Sequence, residues 1–470
     1  MSSHVVIIGG GISGLAAAHR ILELNPSAQV TILEASDRLG GTVQTEHRDG
    51  FLIERGPDSF ISEKPHALAL AKRLGIESQL IQTNEEYRRS FIVRDGRLRA
   101  VPEGFQLMAP SRMWPFITSD IFTLAGKARM AADLLLPRKR INGTTDESLA
   151  SFVRRRLGEE ALARMAQPMV GGIYTADPET LSLRATLPRF LEMEQKHRSL
   201  ILAMLRQGRA QKTGTSGARY SLFLSFDRGM QALIDAVTQV TRIKADLRLK
   251  TRAQRLSFDQ GWTISTDKEE QIKADAVCLA VPAYVAASLL DETHAQLAQK
   301  LRQIKYASTA TINFGYRRAA IAHPLNGFGF VVPFIEKRSL IACTFSSVKF
   351  SGRAPDGYVL LRAFAGGALQ PEVFALDEDE MVKRVEVDLR ELLGIREDPR
   401  FIEVAKWERS MPQYEVGHLD RINEIEKLAN ELPGLSLAGN GYRGAGIPDC
   451  IRSGEDAAEH LAGLISETNI

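Results

Sequence analysis

The 470-residue sequence is poor in cysteine. It has three, Cys278, Cys343 and Cys450, and no two of them form a Cys-x-x-Cys pair. An odd, scattered set argues against a disulfide framework or a structural zinc site, and for a reducing compartment. An apolar run of the roughly 18 residues needed for a membrane span is also missing. The start, Met1-Ser2-Ser3-His4, lacks the basic segment and apolar core of a signal peptide, so a cytoplasmic location is expected. Charge of one sign is missing too: 60 Lys and Arg against 57 Asp and Glu leave +3, too little to argue for nucleic acid. Low-complexity tracts and internal repeats are absent, and no side-chain cluster has the spacing of a metal site or a catalytic triad, so no metal is expected. The length exceeds one simple core and calls for two or three lobes.

What is present begins at once. Val5 to Ile8 is a continuous β-branched run that ends in glycines, as a strand buried on both faces does. A helical pattern follows from Ser13 to Leu24, Asn25-Pro26-Ser27 stops it, and Gln29 to Leu33 reads as a second parallel strand. The turn between the first strand and the helix is Gly9-Gly10-Gly11-Ile12-Ser13-Gly14. In a Gly-x-Gly-x-x-Gly turn the first glycine makes the tight bend, the second lets backbone approach a pyrophosphate, and the third lets the helix lie close to the strand. Glu34 closes the second strand, placed to accept hydrogen bonds from ribose hydroxyls. Arg38-Leu39-Gly40-Gly41 follows it directly, and a second set of glycines suits FAD rather than NAD, because the larger cofactor continues past the first loop. Gly56-Pro57-Asp58-Ser59 adds a further tight segment. Near the other end, Gly439 to Asp449 carries four glycines between a buried strand and a helix expected from about Ile451, with Ser453, Gly454 and Glu455 at its start.

Between these ends, Asp49-Gly50 and Asp95-Gly96 read as hairpin turns. Residues 110 to 217 are helix-rich and basic, with Arg138-Lys139-Arg140, Arg154-Arg155-Arg156 and Lys196-His197-Arg198, and the glycine-rich 207–217 stretch reads as a loop.

Several segments resemble the bacterial porphyrinogen oxidases, the coproporphyrinogen and protoporphyrinogen oxidase family within the monoamine-oxidase-like flavoproteins. They are Glu54-Arg55-Gly56-Pro57-Asp58-Ser59-Phe60, Gly171-Gly172-Ile173-Tyr174-Thr175-Ala176-Asp177-Pro178, the EQKHRSLIL run from Glu194 to Leu202, Trp407 to Tyr414 with its SMPQY, and Gly446 to Ile451. The EQKHRSLIL and SMPQY segments are the more specific, and are most similar to the Gram-positive type that oxidises coproporphyrinogen III. The sequence departs from the family at Ala176, where a second glycine is commoner.

The resemblance implies an α/β fold, α+β overall. It would comprise a Rossmann-type FAD-binding domain (1–65, 220–300 and 405–470), a mixed-sheet substrate domain (66–105 and 301–404) and a basic helical insertion (106–219). It implies non-covalent FAD lined by Gly9 to Gly14, Glu34, Ala35, Arg38, Gly41, Thr42 and Gly56 to Ser59. Ala253 would meet the adenine, Trp407 the flavin side, and Ala445, Gly446 and Ile447 the pyrimidine end. Gly172 would bring backbone carbonyl to the flavin and substrate. Lys64, Tyr174, Lys196 and Arg198 are the candidates for substrate contact, although charged residues on helices more often face solvent. The implied partners are a porphyrinogen and O2, with a transient contact with the next haem-pathway enzyme and at most peripheral contact with the inner face of the membrane. The implied chemistry removes six electrons and six protons from coproporphyrinogen III, or alternatively from protoporphyrinogen IX. More distant alternatives are an amine oxidase, a desaturase or a flavin-free carrier on the same frame.

Overall fold

Val5 and Ile7 point into one apolar core, and Val6 and Ile8 into another, which is why the first strand is apolar at every position. A computed structural model describes residues 3–139, 146–213 and 222–468. Strand His4–Ile8 lies at the centre of a five-stranded sheet in the order Ala245–Arg248, Gln29–Leu33, His4–Ile8, Ala276–Leu279, Leu435–Leu437, with every pairing parallel. On one face lie the helices Ile12–Leu24, Gln231–Thr241 and Ile447–Thr468. On the other lie a three-stranded antiparallel sheet, 253–274, and the helices Ala283–Leu290, Ala295–Arg302 and His418–Ala429. The chain moves outward from the first strand to one edge, then returns to its other side. That reversal opens a crevice at the carboxyl ends of the strands, where doubly wound sheets bind ligands.

A second, seven-stranded sheet runs Phe401–Pro412, Tyr306–Arg317, Tyr358–Gly366, Ala342–Phe345, Gly329–Val331, Ser90–Arg94, Arg97–Ala100. Ile312, Phe314, Leu361 and Ala363 face a core shared with helix Glu378–Leu393. Their alternate neighbours Thr311, Asn313 and Arg362 therefore point to the opposite face. Both glycine turns close antiparallel hairpins, with Asp49 and Asp95 left-handed at φ 49° and 51°.

Two expected boundaries move. A cut at residue 405 would sever strand Phe401–Pro412, which pairs with Tyr306–Arg317 along its length. Ala67, Leu70 and Ala71, of helix Pro65–Arg73, join the core of the parallel sheet rather than that of the seven-stranded one. The 207–217 loop also shortens. Helix Leu200–Thr213 continues through its first residues, since Arg, Ala, Gln and Lys there favour helix more than one glycine opposes it; residues 214–217 lie outside the described residues. The last helix begins at Ile447, which puts Ser453 to Glu455 in its second and third turns.

The helical region packs around Phe116, Phe152, Met165, Phe190 and Met204. Its arginine run is not a basic surface. Arg154 pairs with Glu159 and Glu179, and Arg155 with Glu147 and Glu194. Arg156 is fully buried against Asp133, its Nε donating to Oδ1 at 2.6 Å. Lys139 pairs with Glu147 at 3.2 Å, while Arg140 lies outside the described residues. No helix among the described residues is long and apolar enough to cross a membrane.

Candidate active site

Two glycines of the first turn, Gly9 and Gly14, sit where their spacing leads one to expect backbone in close contact. Gly9 is left-handed at φ 108°, and a Cβ there would lie 2.4 Å from the Ala280 carbonyl oxygen. A Cβ at Gly14 would lie 2.0 Å from the Gly9 oxygen, so helix and strand touch through backbone. Gly11 is different: its backbone is ordinary, φ −71°, and a Cβ there would meet nothing within 4 Å. Open space therefore stands before the amino end of helix Ile12–Leu24, which has no side-chain cap. Its first N–H groups have no helical partner and carry the positive end of the helix dipole, a ready site for a pyrophosphate.

Other segments stack onto this turn. Gly40 N–H donates to the Gly10 carbonyl at 2.8 Å, a Cβ on Gly41 would lie 3.4 Å from Gly11 Cα, and Gly56 packs against the Thr42 carbonyl. Glu34 accepts from Gly10 N–H and from Ser36 N–H, both at 2.8 Å, leaving lone pairs on each oxygen for hydroxyls. Ala35 beside it is exposed. Thr251 N–H donates to the Glu34 carbonyl at 2.9 Å, which leads the strand that begins at Ala253 past the same end.

Arg38 departs from its expected place. Its guanidinium donates to the carbonyls of Gly41 (2.7 Å) and Val43 (2.6 Å) and to Gln231 (2.9 Å). It holds the second glycine turn in shape rather than facing the open space.

The carboxyl-terminal glycine segment reaches the same place because Gly454 packs directly on Ser13, where a Cβ would lie 2.1 Å from the Ser13 oxygen. That contact sets the amino end of helix Ile447–Thr468, with Ala445 and Gly446 before it, beside that of the first helix. Gly439 N–H is fixed to Ser453 Oγ at 3.1 Å.

The polar face of the seven-stranded sheet closes over Glu54–Ser59. Asn313 Nδ2 donates to the Glu54 carbonyl (3.4 Å), and Thr311 Oγ1 and Trp407 Nε1 donate to that of Arg55 (2.7 and 2.9 Å). Arg362 donates to the Gly56 carbonyl, and Lys349 to Asp58 Oδ2 (2.9 Å) and Ser59 Oγ (3.1 Å). Although burial alone pushes the Asp58 carboxyl up, Lys349 and Arg362 hold it well below the usual carboxylate range. These contacts bring Trp407 to the Gly56 segment, and they add Thr311, Asn313, Lys349 and Arg362, which no local pattern in the sequence singles out.

The Gly171–Tyr174 segment ends helix Gln167–Tyr174, which follows a π-helical turn over Leu162–Ala166; such turns recur at functional sites. Gly172 is exposed, and a Cβ on it would lie 3.7 Å from Val331 of the same sheet. The left-handed residue after the helix is Thr175 (φ 48°), held by Thr175 N–H to Gly171 O and Ala368 N–H to Thr175 O. Ala176 has no such conformation, so replacement of a glycine there requires no strained backbone.

The four substrate candidates separate. Lys64 Nζ pairs with the buried Asp449 carboxylate at 2.6 Å. Tyr174 lies close to that carboxylate: burial first, then Asp449, push its hydroxyl up to about 12, with Arg189 acting in the opposite sense. Arg189, exposed and without a carboxylate partner among the described residues, is thus a further cation beside Tyr174. Lys196 and Arg198 are not brought there. Lys196 faces Glu192 one turn back on its own helix at 3.4 Å, and Arg198 donates to the Leu134 carbonyl at 3.0 Å.

A parallel sheet with an uncapped glycine turn, a second glycine segment beside it and an open crevice is the frame of flavin-using oxidoreductases. The chain belongs to the flavin-containing amine oxidoreductase family, which residues 12–462 match. It is 36% identical to coproporphyrinogen III oxidase of Bacillus subtilis over 97% of each chain. It is 30% identical to the chloroplastic protoporphyrinogen oxidase of Nicotiana tabacum, covering 98% of this chain and 86% of that one. A crystal structure from Exiguobacterium, provisionally named protoporphyrinogen oxidase, superposes with TM-score 0.87 at 32% identity, covering 98% and 99% of the two chains. The cofactor of the family is a flavin, and the open space at Gly11 and the free helix ends fit one carried on a dinucleotide.

Proposed function

We propose that the chain binds FAD without a covalent bond and oxidises coproporphyrinogen III to coproporphyrin III in haem biosynthesis, with O2 as acceptor. The observation that carries this reading is the full-length 36% identity to a coproporphyrinogen III oxidase, on a fold whose Gly11 turn leaves room for a pyrophosphate. Bound FAD supplies a two-electron acceptor, so three cycles, each passing its pair to O2 as H2O2, remove the six electrons and six protons.

The residues have the work of binding and orientation. Ile12, Ser13 and Gly14 N–H groups would hold the pyrophosphate and Glu34 the ribose. Gly41, Thr42, Gly56 to Ser59, Trp407 and Ala445 to Ile447 would line the rest, with Ala253 at the adenine. Gly172 would present backbone to the substrate. Lys64, Tyr174 and Arg189 would meet propionates, Lys64 by exchanging Asp449 for a substrate carboxylate. Electron-rich pyrroles stabilise developing positive charge themselves, so positioning carries most of the rate.

The test is aerobic turnover of coproporphyrinogen III read by porphyrin fluorescence and peroxide. Three H2O2 per coproporphyrin formed is the expected ratio; oxygen-independent product would contradict the reading. Acid precipitation should release the yellow colour to the supernatant, since Cys278, Cys343 and Cys450 are all buried and burial pushes their thiols well up, leaving no ready thiolate for a flavin link. Colour retained in the pellet would contradict non-covalent binding. We place the enzyme in the cytoplasm with at most peripheral membrane contact, which its recovery in the supernatant after sedimentation of membranes would support and firm co-sedimentation would refute.

A further inference from the structure

Five ionisable side chains are buried or nearly so behind Glu54–Ser59. Arg353 is 2% exposed, Arg362 and Glu54 4%, and the side chains of Lys349 and Asp58 13% and 18%. Their charges do not balance by contact. Lys349 and Asp58 form a true pair at 2.9 Å. Arg362 comes only within 4.0 Å of Asp58, directs another N–H to the Gly56 carbonyl, and keeps its Nε buried without a partner. Arg353 donates to Ser225 Oγ and to the carbonyls of Phe226 and Asp227, none of them charged. Glu54 accepts from Thr45 Oγ1 (2.7 Å) and Met230 N–H (2.8 Å) rather than from an arginine. Burial pushes its carboxyl up to about 7, so near neutral pH it supplies only part of a negative charge.

Three buried cations thus face two buried carboxylates, one of them only partly charged, with the exposed Asp227 as a further, solvent-screened charge near Arg353. A buried charge without a counter-ion is costly, and an unpartnered buried N–H adds to that cost. The arrangement becomes favourable when negative charge arrives nearby. Carbonyl contacts do not neutralise a guanidinium, so the cluster's field extends through the Gly56 segment it holds.

We propose that Arg362, with Lys349 and Arg353, is a positioning residue for the flavin, a buried cationic cluster behind Gly56–Ser59 that favours the negatively charged reduced cofactor over the oxidised one. This rests on the reading that Gly56–Ser59 lines FAD. The cluster strengthens the oxidant without touching the substrate, because preorganised charge in a water-poor site acts where charge develops.

The test is the two-electron midpoint potential of the flavin-replete protein, measured without porphyrinogen. Arg362→Gln is expected to lower the preference for reduced over oxidised flavin at least tenfold, a fall of about 30 mV for a two-electron couple. Arg362→Lys, which keeps the charge, should retain most of the wild-type potential. Should Arg362→Gln not fold, Lys349→Met removes a cation and leaves the Gly56 hydrogen bond, and must show the same downward shift. A potential unchanged in flavin-replete charge-removing variants would overturn the proposal alone. The same holds for an unchanged potential accompanied by a raised KM, which would assign the cluster to substrate carboxylates. A wild-type protein that takes up no flavin would overturn this proposal together with the FAD reading.

Discussion

Gly11→Val is expected to fold normally and to purify colourless. The position demands no glycine for its own sake, since its φ of −71° and ψ of 178° are open to any residue and a Cβ there meets nothing within 4 Å. The valine side chain therefore enters the open space before the helix, where the pyrophosphate must approach backbone N–H groups. Charge-assisted hydrogen bonds of about 1.5–3 kcal/mol each are lost with that approach, so FAD content should fall by two orders of magnitude or more. Far-ultraviolet dichroism matching wild type, with flavin absorbance missing, is the expected pair of readings. Gly14→Val is the contrast: its Cβ would lie 2.0 Å from the Gly9 oxygen, so the fold itself should fail. A folded Gly11→Val protein with a full complement of FAD would remove the basis for the cofactor assignment.

A second large effect, on stability, is expected in the helical region at Asp133. Both partners of the Asp133–Arg156 pair are fully buried. The aspartate is saturated, with Ser199 Oγ (2.6 Å) and Ile201 N–H (3.0 Å) donating to Oδ2. Arg156 in turn donates to the carbonyls of Asp133, Pro137 and Arg198. Asp133→Ala removes the hydrogen-bonded counter-ion and leaves the buried guanidinium only Glu194, at 3.6 Å and shared with Arg155, which costs about 3 kcal/mol. The double change Asp133→Leu with Arg156→Met should recover much of that loss, because a buried pair replaced by apolar side chains is often neutral. Denaturant midpoints of the three proteins measure this. An Asp133→Ala protein as stable as wild type would contradict the account of the helical core.

The first glycine turn was legible in the sequence because covalent sterics restrict it: Gly9 and Gly14 sit where only backbone fits, so their spacing carries the geometry. Arg38 was misplaced because residue type says nothing about where its donors point; they close its own turn. The run Arg154 to Arg156 read as one basic patch, yet its members point to Glu179, Glu194 and Asp133, carboxylates brought there only by helix packing. Lys196 and Arg198 looked alike in sequence to Lys64, but Lys196 faces Glu192 on its own helix, and Arg198, left-handed just past that helix, turns to the Leu134 carbonyl. Lys349 and Arg362 were invisible for a different reason: their partners Asp58 and Gly56 lie 291 and 306 residues away, and no local periodicity encodes a contact that distant.

Substrate choice is read from the ratio of kcat/KM for coproporphyrinogen III to that for protoporphyrinogen IX. Both share the reacting meso carbons, so both should turn over, and the two additional propionates decide between them. One well-made contact of about 1.5–3 kcal/mol corresponds to roughly tenfold or more in rate, discounted at Lys64 because that side chain is half exposed. The expected ratio is about ten or above in favour of coproporphyrinogen III, reduced in Lys64→Ala and Arg189→Ala and unmoved in Lys196→Ala. A wild-type ratio favouring protoporphyrinogen IX would contradict the proposed substrate.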